Sequence, residues 1–515
     1  MSVKLSLKLK IFALSLLMSA ATGRAMAAVS CDAVARASLD HTEVTSATLV
    51  ASGAMTAPPG GPRDEAALFP TLPAFCRVQV TLRPAPDSEI KAEVWIPADK
   101  WNGRLEMIGN GAYSGGMMFG ALARGVAKGY AVAVTDTGHS DDRRDDFYVG
   151  HPEKVTDWET RAVHETVVMA KTIIGIVAGS GPRYSYWNSC STGGRQGWME
   201  AEYYPTDFDG LAIGDPANPM TRLQAGSIWA NLAVHKTPNS FITPQKWAMV
   251  HAAVVRECDA KDGLKDGLIE NPLACHFNPK TLLCKSGDQA DCLTRPQLEA
   301  LEAVTNGPRN PRTGAQIYPG YPLGDPLPGS IARDQPDPAS VETFRILFND
   351  PNWDYHTFNF DTDVAQSDTL GYQKMNAVDP ANLKALFARG GKILMYHGWD
   401  DPAITPLISL QLYNEAVAAN GGLANTYDNI RLFMVPGKEH CSVNFDQMAV
   451  ISAWVEEGKA PEMIVEPYAP PGSPRNTAPT FTRTLCPYPK VARYKGAGST
   501  DDAANFGCVA SSRRS

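Results

Sequence analysis

Two regimes of hydrophobic patterning alternate along this chain of 515 residues. From about residue 91 to 215, short apolar runs of strand length alternate with stretches of helical spacing. The runs at 91–97, 104–109, 130–135 and 184–188 predict strands. Val163, Val167, Val168, Ala170 and Ile174 mark one face of a helix over 158–175. Strand, helix and strand in this order require crossover connections, hence parallel pairing in an α/β sandwich.

Beyond Pro219 the pattern lapses. A segment with four cysteines (258, 275, 284 and 292) and many prolines, among them Pro308, Pro311, Pro319, Pro322, Pro326, Pro328, Pro336 and Pro338, runs to about Pro380. Strand-like runs then return at 392–396 and 430–435, separated by a helical stretch near 408–419. A separate second domain starting at Pro219 would hold only these two strands. The pattern therefore predicts one α/β core, 28–218 and 381–515, interrupted by an insertion at 219–380.

The first 27 residues read differently. Lys4, Lys8 and Lys10 precede an apolar stretch at 11–20, and Ala25-Met26-Ala27 resembles a signal-peptidase site. The stretch is short for a bilayer span, and no later run of about 20 apolar residues follows. The expectation is a leader, and a mature protein that is soluble in the periplasm or the medium. The formal charge is −8, and loss of the leader's four cations (the three lysines and Arg24) takes it to −12. Such an acidic chain without basic blocks argues against nucleic acid and anionic membrane as partners. Nothing in the sequence sets its oligomeric state.

Chemistry enters at Tyr184-Ser185-Tyr186-Trp187-Asn188-Ser189-Cys190-Ser191-Thr192-Gly193-Gly194. A predicted strand leads into a turn with Ser191 at its apex, and a helical stretch follows from Arg195. That is the context of a nucleophile elbow, where small neighbours let the serine Oγ project freely. Ser189 stands where the usual motif has glycine, a departure that weakens the bare motif. In this architecture the acid and base follow the nucleophile, each in a loop after a strand. The 392–396 run is followed by His397-Gly398-Trp399-Asp400-Asp401, and the 430–435 run by Pro436-Gly437-Lys438-Glu439-His440. His440 is the candidate base and Asp401 the preferred acid, although spacing does not separate it from Asp400. His397 precedes the acid and so falls in the wrong order.

The ten cysteines form no C-x-x-C and no zinc-type cluster. Local pairing suggests Cys31–Cys76, Cys258–Cys275, Cys284–Cys292 and Cys486–Cys508, which leaves Cys190 and Cys441. These two flank the candidate nucleophile and base. If Ser191 and His440 meet, their neighbours lie close enough to be bridged.

The C-S-T-G-G elbow, the H-G-W-D-D-P loop and the G-K-E-H-C loop resemble the tannase and feruloyl esterase family, over nearly the whole mature chain. The resemblance implies an α/β-hydrolase fold with a large lid between nucleophile and acid. It also implies a triad of Ser191, Asp401 and His440, with Asp400 set aside. An oxyanion hole would use the Thr192 backbone N–H and a second donor from the loop at Gly109-Asn110-Gly111-Ala112. The resemblance makes that donor Ala112.

Cys258-Asp259-Ala260-Lys261-Asp262-Gly263-Leu264-Lys265-Asp266-Gly267-Leu268 crowds three carboxylates among glycines, a donor set suited to calcium. The resemblance implies side-chain ligands from Asp259, Asp262 and Asp266, with carbonyls of Leu264 and Leu268, in a structural role. No organic cofactor is implied. Trp229, Phe344, Phe348, Trp353, Tyr355, Phe358 and Phe360 are lid aromatics that serve either as core or as acyl pocket.

The expected activity is hydrolysis of small aromatic carboxylic esters through an acyl-enzyme. Feruloyl esters come first, then galloyl esters, then mono(2-hydroxyethyl) terephthalate. A hydrolase-fold binding protein without turnover is the alternative from another class; a peptidase or lipase is a further one.

Overall fold

The computed structural model describes residues 30–58, 65–140, 147–324, 326, 331, 333–370, 375–470, 473 and 477–511. The leader read at 1–27 lies outside the described residues. Nine of the chain's extended runs form one sheet. In chain order its strands are β1 (Thr42–Val50), β2 (Phe75–Leu82), β3 (Ile90–Pro97), β4 (Arg104–Met107), β5 (Ala131–Thr135), β6 (Tyr184–Cys190), β7 (Gly210–Gly214), β8 (Lys392–Gly398) and β9 (Ile430–Val435). They lie side by side as β1-β2-β3-β5-β4-β6-β7-β8-β9. The first three pair antiparallel, β3 runs antiparallel to β5, and every later pair is parallel.

Helices cover both faces of the parallel half, which is why β5 and β7 are buried at every position. Alternation then sorts side chains between two cores. Val132, Val134 and Tyr186 pack with helices Phe119–Ala127 and Gln447–Glu457, whereas Ala131, Ala133 and Trp187 face helices Ala162–Ala178 and Thr192–Tyr203. A π-helical turn, Asp157–Arg161, opens the helix expected over 158–175. β1, β2 and β7 were not among the expected strands. β1 is an edge strand with mostly exposed or half-buried side chains, so it carries little apolar signal. Two hairpins outside the sheet, Ile464–Tyr468 with Phe481–Leu485 and Lys490–Tyr494 with Phe506–Ala510, complete the C-terminal part.

Between β7 and β8 the named elements among the described residues are helices, with Met220–Val234, Pro244–Cys258, Arg295–Asn306 and Pro338–Phe348 as the longer ones. Part of this segment has its own core, built on Trp247, Val254, Leu298 and Leu301. The aromatics read as core or pocket mostly pack on one another. Phe344 lies 4.6 Å from Phe358 and 5.2 Å from Trp353 by ring centroid, and Phe360 bridges Phe358 to Trp229. Phe348 also sits in this cluster, and the Tyr355 ring lies tilted against His356.

All ten cysteines are paired, as 31–76, 190–441, 258–275, 284–292 and 486–508. Five disulfides fit a protein that folds in an oxidising compartment.

Candidate active site

β6 delivers Ser191 to the mouth of the sheet in a conformation that L-residues rarely adopt, φ 65° and ψ −126°. Such a backbone is strained by roughly 1–3 kcal/mol and persists only where its surroundings hold it. Here the Ser191 N–H donates to the Gly214 carbonyl on β7 (3.0 Å), and the Ser191 carbonyl accepts from Arg195 (3.0 Å) and Ala217 (3.1 Å). The helix that follows presses onto β7 so closely that a Cβ on Gly194 would sit 2.3 Å from the Gly214 oxygen. A Cβ on Gly193 would sit 2.0 Å from the Ser189 Oγ. The departure at Ser189 is therefore accommodated by the glycine opposite it.

Loops after β8 and β9 bring the other two candidates to Ser191. His440 Nε2 lies 2.9 Å from Ser191 Oγ, and His440 Nδ1 lies 2.7 Å from Asp401 Oδ2. With Nδ1–H donating to the carboxylate, Nε2 is left to accept the serine proton. Asp401 is fully buried, and its Oδ1 accepts backbone N–H groups of Ala403 (2.8 Å) and Ile404 (2.9 Å). Burial opposes its ionisation, yet the charge of His440 and hydrogen bonds from both His397 and His440 hold its carboxyl well below the usual range. Asp400 behaves oppositely. Desolvation, with Glu439 nearby, pushes its carboxyl up to about 7. His397 is no competitor for the base: it is buried under Asp401, with Nε2 3.1 Å from Asp401 Oδ2 and Nδ1 2.7 Å from Ser409 Oγ. The Cys190–Cys441 disulfide, with Cα atoms 5.9 Å apart, staples the His440 loop to the elbow.

A second carboxylate stands beside this chain of hydrogen bonds and was missed in the sequence. Asp215, fully buried just after β7, accepts the Cys441 N–H at 2.6 Å and the Gly398 N–H at 3.2 Å. It lies 3.9 Å from both His440 Nδ1 and His397 Nε2. Its position after an apolar strand, like that of Asp401, was the available signal.

The two oxyanion candidates belong to segments that meet at the elbow. Thr192 is buried at the first position of its helix, where backbone N–H groups have no intrahelical partner. The loop after β4 lies against the same helix. A Cβ on Gly109 would meet Gln196, Trp187 and Gly193 within 2.8 Å, and the Asn110 N–H donates to Gln196 Oε1 at 3.0 Å. Ala112, exposed at the tip, has φ 45° and so takes the left-handed conformation despite its side chain.

Residues 76–509 match the family model of tannase and feruloyl esterase. The chain belongs to that family. It is 35% identical to an uncharacterised esterase of Xanthomonas campestris pv. campestris, over 95% of this chain and 92% of the relative. A probable feruloyl esterase B of Aspergillus clavatus is 32% identical, over 84% and 86%. The crystal structure of feruloyl esterase B from Aspergillus oryzae superposes with a TM-score of 0.84 at 28% identity, covering 93% of this chain and 99% of that one. The fold is the α/β-hydrolase fold, and this tannase and feruloyl esterase family member is a carboxylic ester hydrolase.

The acidic loop of the inserted segment has the donors that a hard cation needs. Asp262, Leu264, Asp266, Leu268 and Glu270 line one cavity of about 20 Å³. Desolvation, reinforced by Asp262 and Asp266, pushes the Glu270 carboxyl up to about 8, and Arg483 is paired with Asp266 at 2.7 Å. Arg493 adds a second cation, its Nη1 donating to the Asp262 carbonyl at 2.6 Å, and the carboxylate and carbonyl oxygens gathered here are the donor type that calcium takes. Two details differ from the sequence reading. Asp259 turns its oxygens to the N–H groups of Asp266 and Gly267 (3.1–3.2 Å), and among the described residues no three of Asp259, Asp262, Asp266 and Glu270 bring one carboxylate oxygen each within 4.8 Å of one another. Glu270, not among the expected ligands, also lines the cavity.

The contrast between neighbouring aspartates generates a test. Asp401→Asn is expected to lower kcat by about four orders of magnitude. Asp400→Asn should leave kcat within a few-fold of wild type, both read per folded enzyme. Equal losses in the two variants would contradict the assignment of the acid.

Proposed function

We propose that this esterase hydrolyses esters of aromatic carboxylic acids, feruloyl (hydroxycinnamoyl) esters first, through an acyl-enzyme on Ser191. The observation that carries the chemistry is the continuous chain from Ser191 Oγ through His440 to Asp401, with spacings of 2.9 and 2.7 Å. The acyl preference is supported by relatives named as probable feruloyl esterases at 30–33% identity.

In this reading His440 Nε2 takes the hydroxyl proton as Ser191 Oγ attacks the ester carbonyl. The negative charge that develops on the carbonyl oxygen is met by the Thr192 and Ala112 N–H groups. Asp401 stabilises the imidazolium and holds its orientation. His440 then protonates the leaving alcohol, activates a water, and returns the proton to Ser191 as the acid departs. Export by the leader at 1–27 would place this reaction in the periplasm or the medium.

A calcium ion held by Asp262, Asp266, Glu270 and the carbonyls of Leu264 and Leu268, with Asp259 behind them, would neutralise the acidic loop. Its part is structural, and no step of the reaction passes through it. Chelation with EDTA should lower the melting temperature by about 5 °C or more, with recovery on adding calcium. An unchanged melting temperature would rule the ion out.

For the acyl group, kcat/KM is compared over methyl ferulate, methyl gallate, a terephthalate monoester and a simple aliphatic ester. Methyl ferulate should lead by about tenfold or more. A lead for gallate or terephthalate would move the substrate within the aromatic class. A wide preference for the aliphatic ester would overturn the aromatic assignment.

A further inference from the structure

Among the buried hydrogen bonds that join the inserted segment to the catalytic half, one reaches Tyr113, the residue after Ala112. The Tyr113 hydroxyl lies 2.5 Å from Thr343 Oγ1, across 230 positions of chain. Its direction can be assigned. Thr343 donates its only hydroxyl proton to the Ala339 carbonyl one turn back in helix Pro338–Phe348 (2.9 Å), so it accepts from Tyr113. Both side chains are essentially inaccessible to water, and burial pushes the Tyr113 phenol up, which keeps its proton in place. An unmade bond here would leave a donor stranded in the core.

Tyr113 is fixed on its other sides as well. Its ring stacks on Trp158 at 4.3 Å between centroids, and its carbonyl accepts from His139 Nε2 at 2.7 Å. Immediately before it stands Ala112, at φ 45°. A left-handed alanine is not self-sustaining, so the direction of its N–H depends on what pins its neighbours. On the N-terminal side that is Asn110, held by Gln196 (3.0 Å) and by the Thr135 carbonyl (2.8 Å). On the C-terminal side it is Tyr113. The helix bearing Thr343 is in turn tied to its own segment, through Ser340 Oγ to Gln224 Oε1 (2.7 Å) and through Phe344 in the aromatic cluster.

We infer that Tyr113 is a positioning residue, and that its bond to Thr343 makes the oxyanion donor at Ala112 dependent on the inserted segment. Order in the helix at 338–348 is thereby read out as transition-state stabilisation. Catalysis is coupled to a segment that supplies no triad residue. This rests on the oxyanion reading of Ala112 given above.

The test approaches the bond from both ends. Tyr113→Phe keeps the stacked ring and removes the donor; Thr343→Val keeps the shape and removes the acceptor. Each is assayed with methyl ferulate, per active site titrated with a fluorophosphonate and well below its melting temperature. Each should lose about tenfold in kcat with KM within twofold of wild type. An aryl boronic acid, whose adduct places an oxygen in the hole, should bind more weakly by the same factor. The double variant should lose no more than either single variant, because one bond is removed.

Wild-type kcat per titrated site in both variants, with only a lower melting temperature, would make the bond structural and overturn the inference. So would a loss in Tyr113→Phe without one in Thr343→Val, or losses that multiply in the double variant. Failure of the esterase reading itself would look different: wild-type enzyme would neither titrate nor turn over.

Discussion

The arrangement depends on holding one serine in a backbone conformation that it would not choose. Ser191 sits at φ 65° because β6 must stop, reverse its course and enter a helix without a spacer. The turn is clamped by its N–H on β7 and by a helix start whose glycines lie within contact of Gly214 and Ser189. The same clamp sets the helix's first N–H groups beside the Oγ. The nucleophile and the helix's first N–H groups are thus products of a single constraint. The departure at Ser189 shows the tolerance of that clamp: its Oγ fills the space where a Cβ on Gly193 would have to go.

Around the elbow, charge is arranged to keep one proton mobile and the others still. Asp401 accepts from two imidazoles and two backbone amides, so its ionised form is favoured despite full burial. Asp215 lies beside the same groups and anchors the amide of Cys441, next to the base. Together with the Cys190–Cys441 bridge, this ties the His440 loop to the ends of β6 and β7. The loop after β9 is therefore fixed at the residue following the histidine, which leaves the imidazole little freedom to swing away from Ser191.

Much of this was legible in the sequence because it is carried by local patterns. Buried parallel strands read as apolar runs, the triad follows chain order, and the five disulfides followed from short spacings plus one remaining pair. What was not legible depends on contacts between distant segments. β1 lies at an edge and alternates weakly, so only its pairing with β2 defines it. Asp215 shares with Asp401 a place after an apolar strand, but its bearing on the site shows only beside His397 and His440. Glu270 lies beyond the acidic run and joins its cavity through the fold of the loop. The aromatics between 344 and 360 could have been wall or core, and mutual packing decides mostly for core.

The central claim is that Ser191 is a nucleophile made reactive by His440. Mass spectrometry of the protein after exposure to an organophosphate tests it most directly. One adduct per chain on Ser191 is predicted, with labelling slowed by orders of magnitude in a folded His440→Ala variant. No adduct on the wild-type protein, or equal labelling rates in the two proteins, would contradict the account.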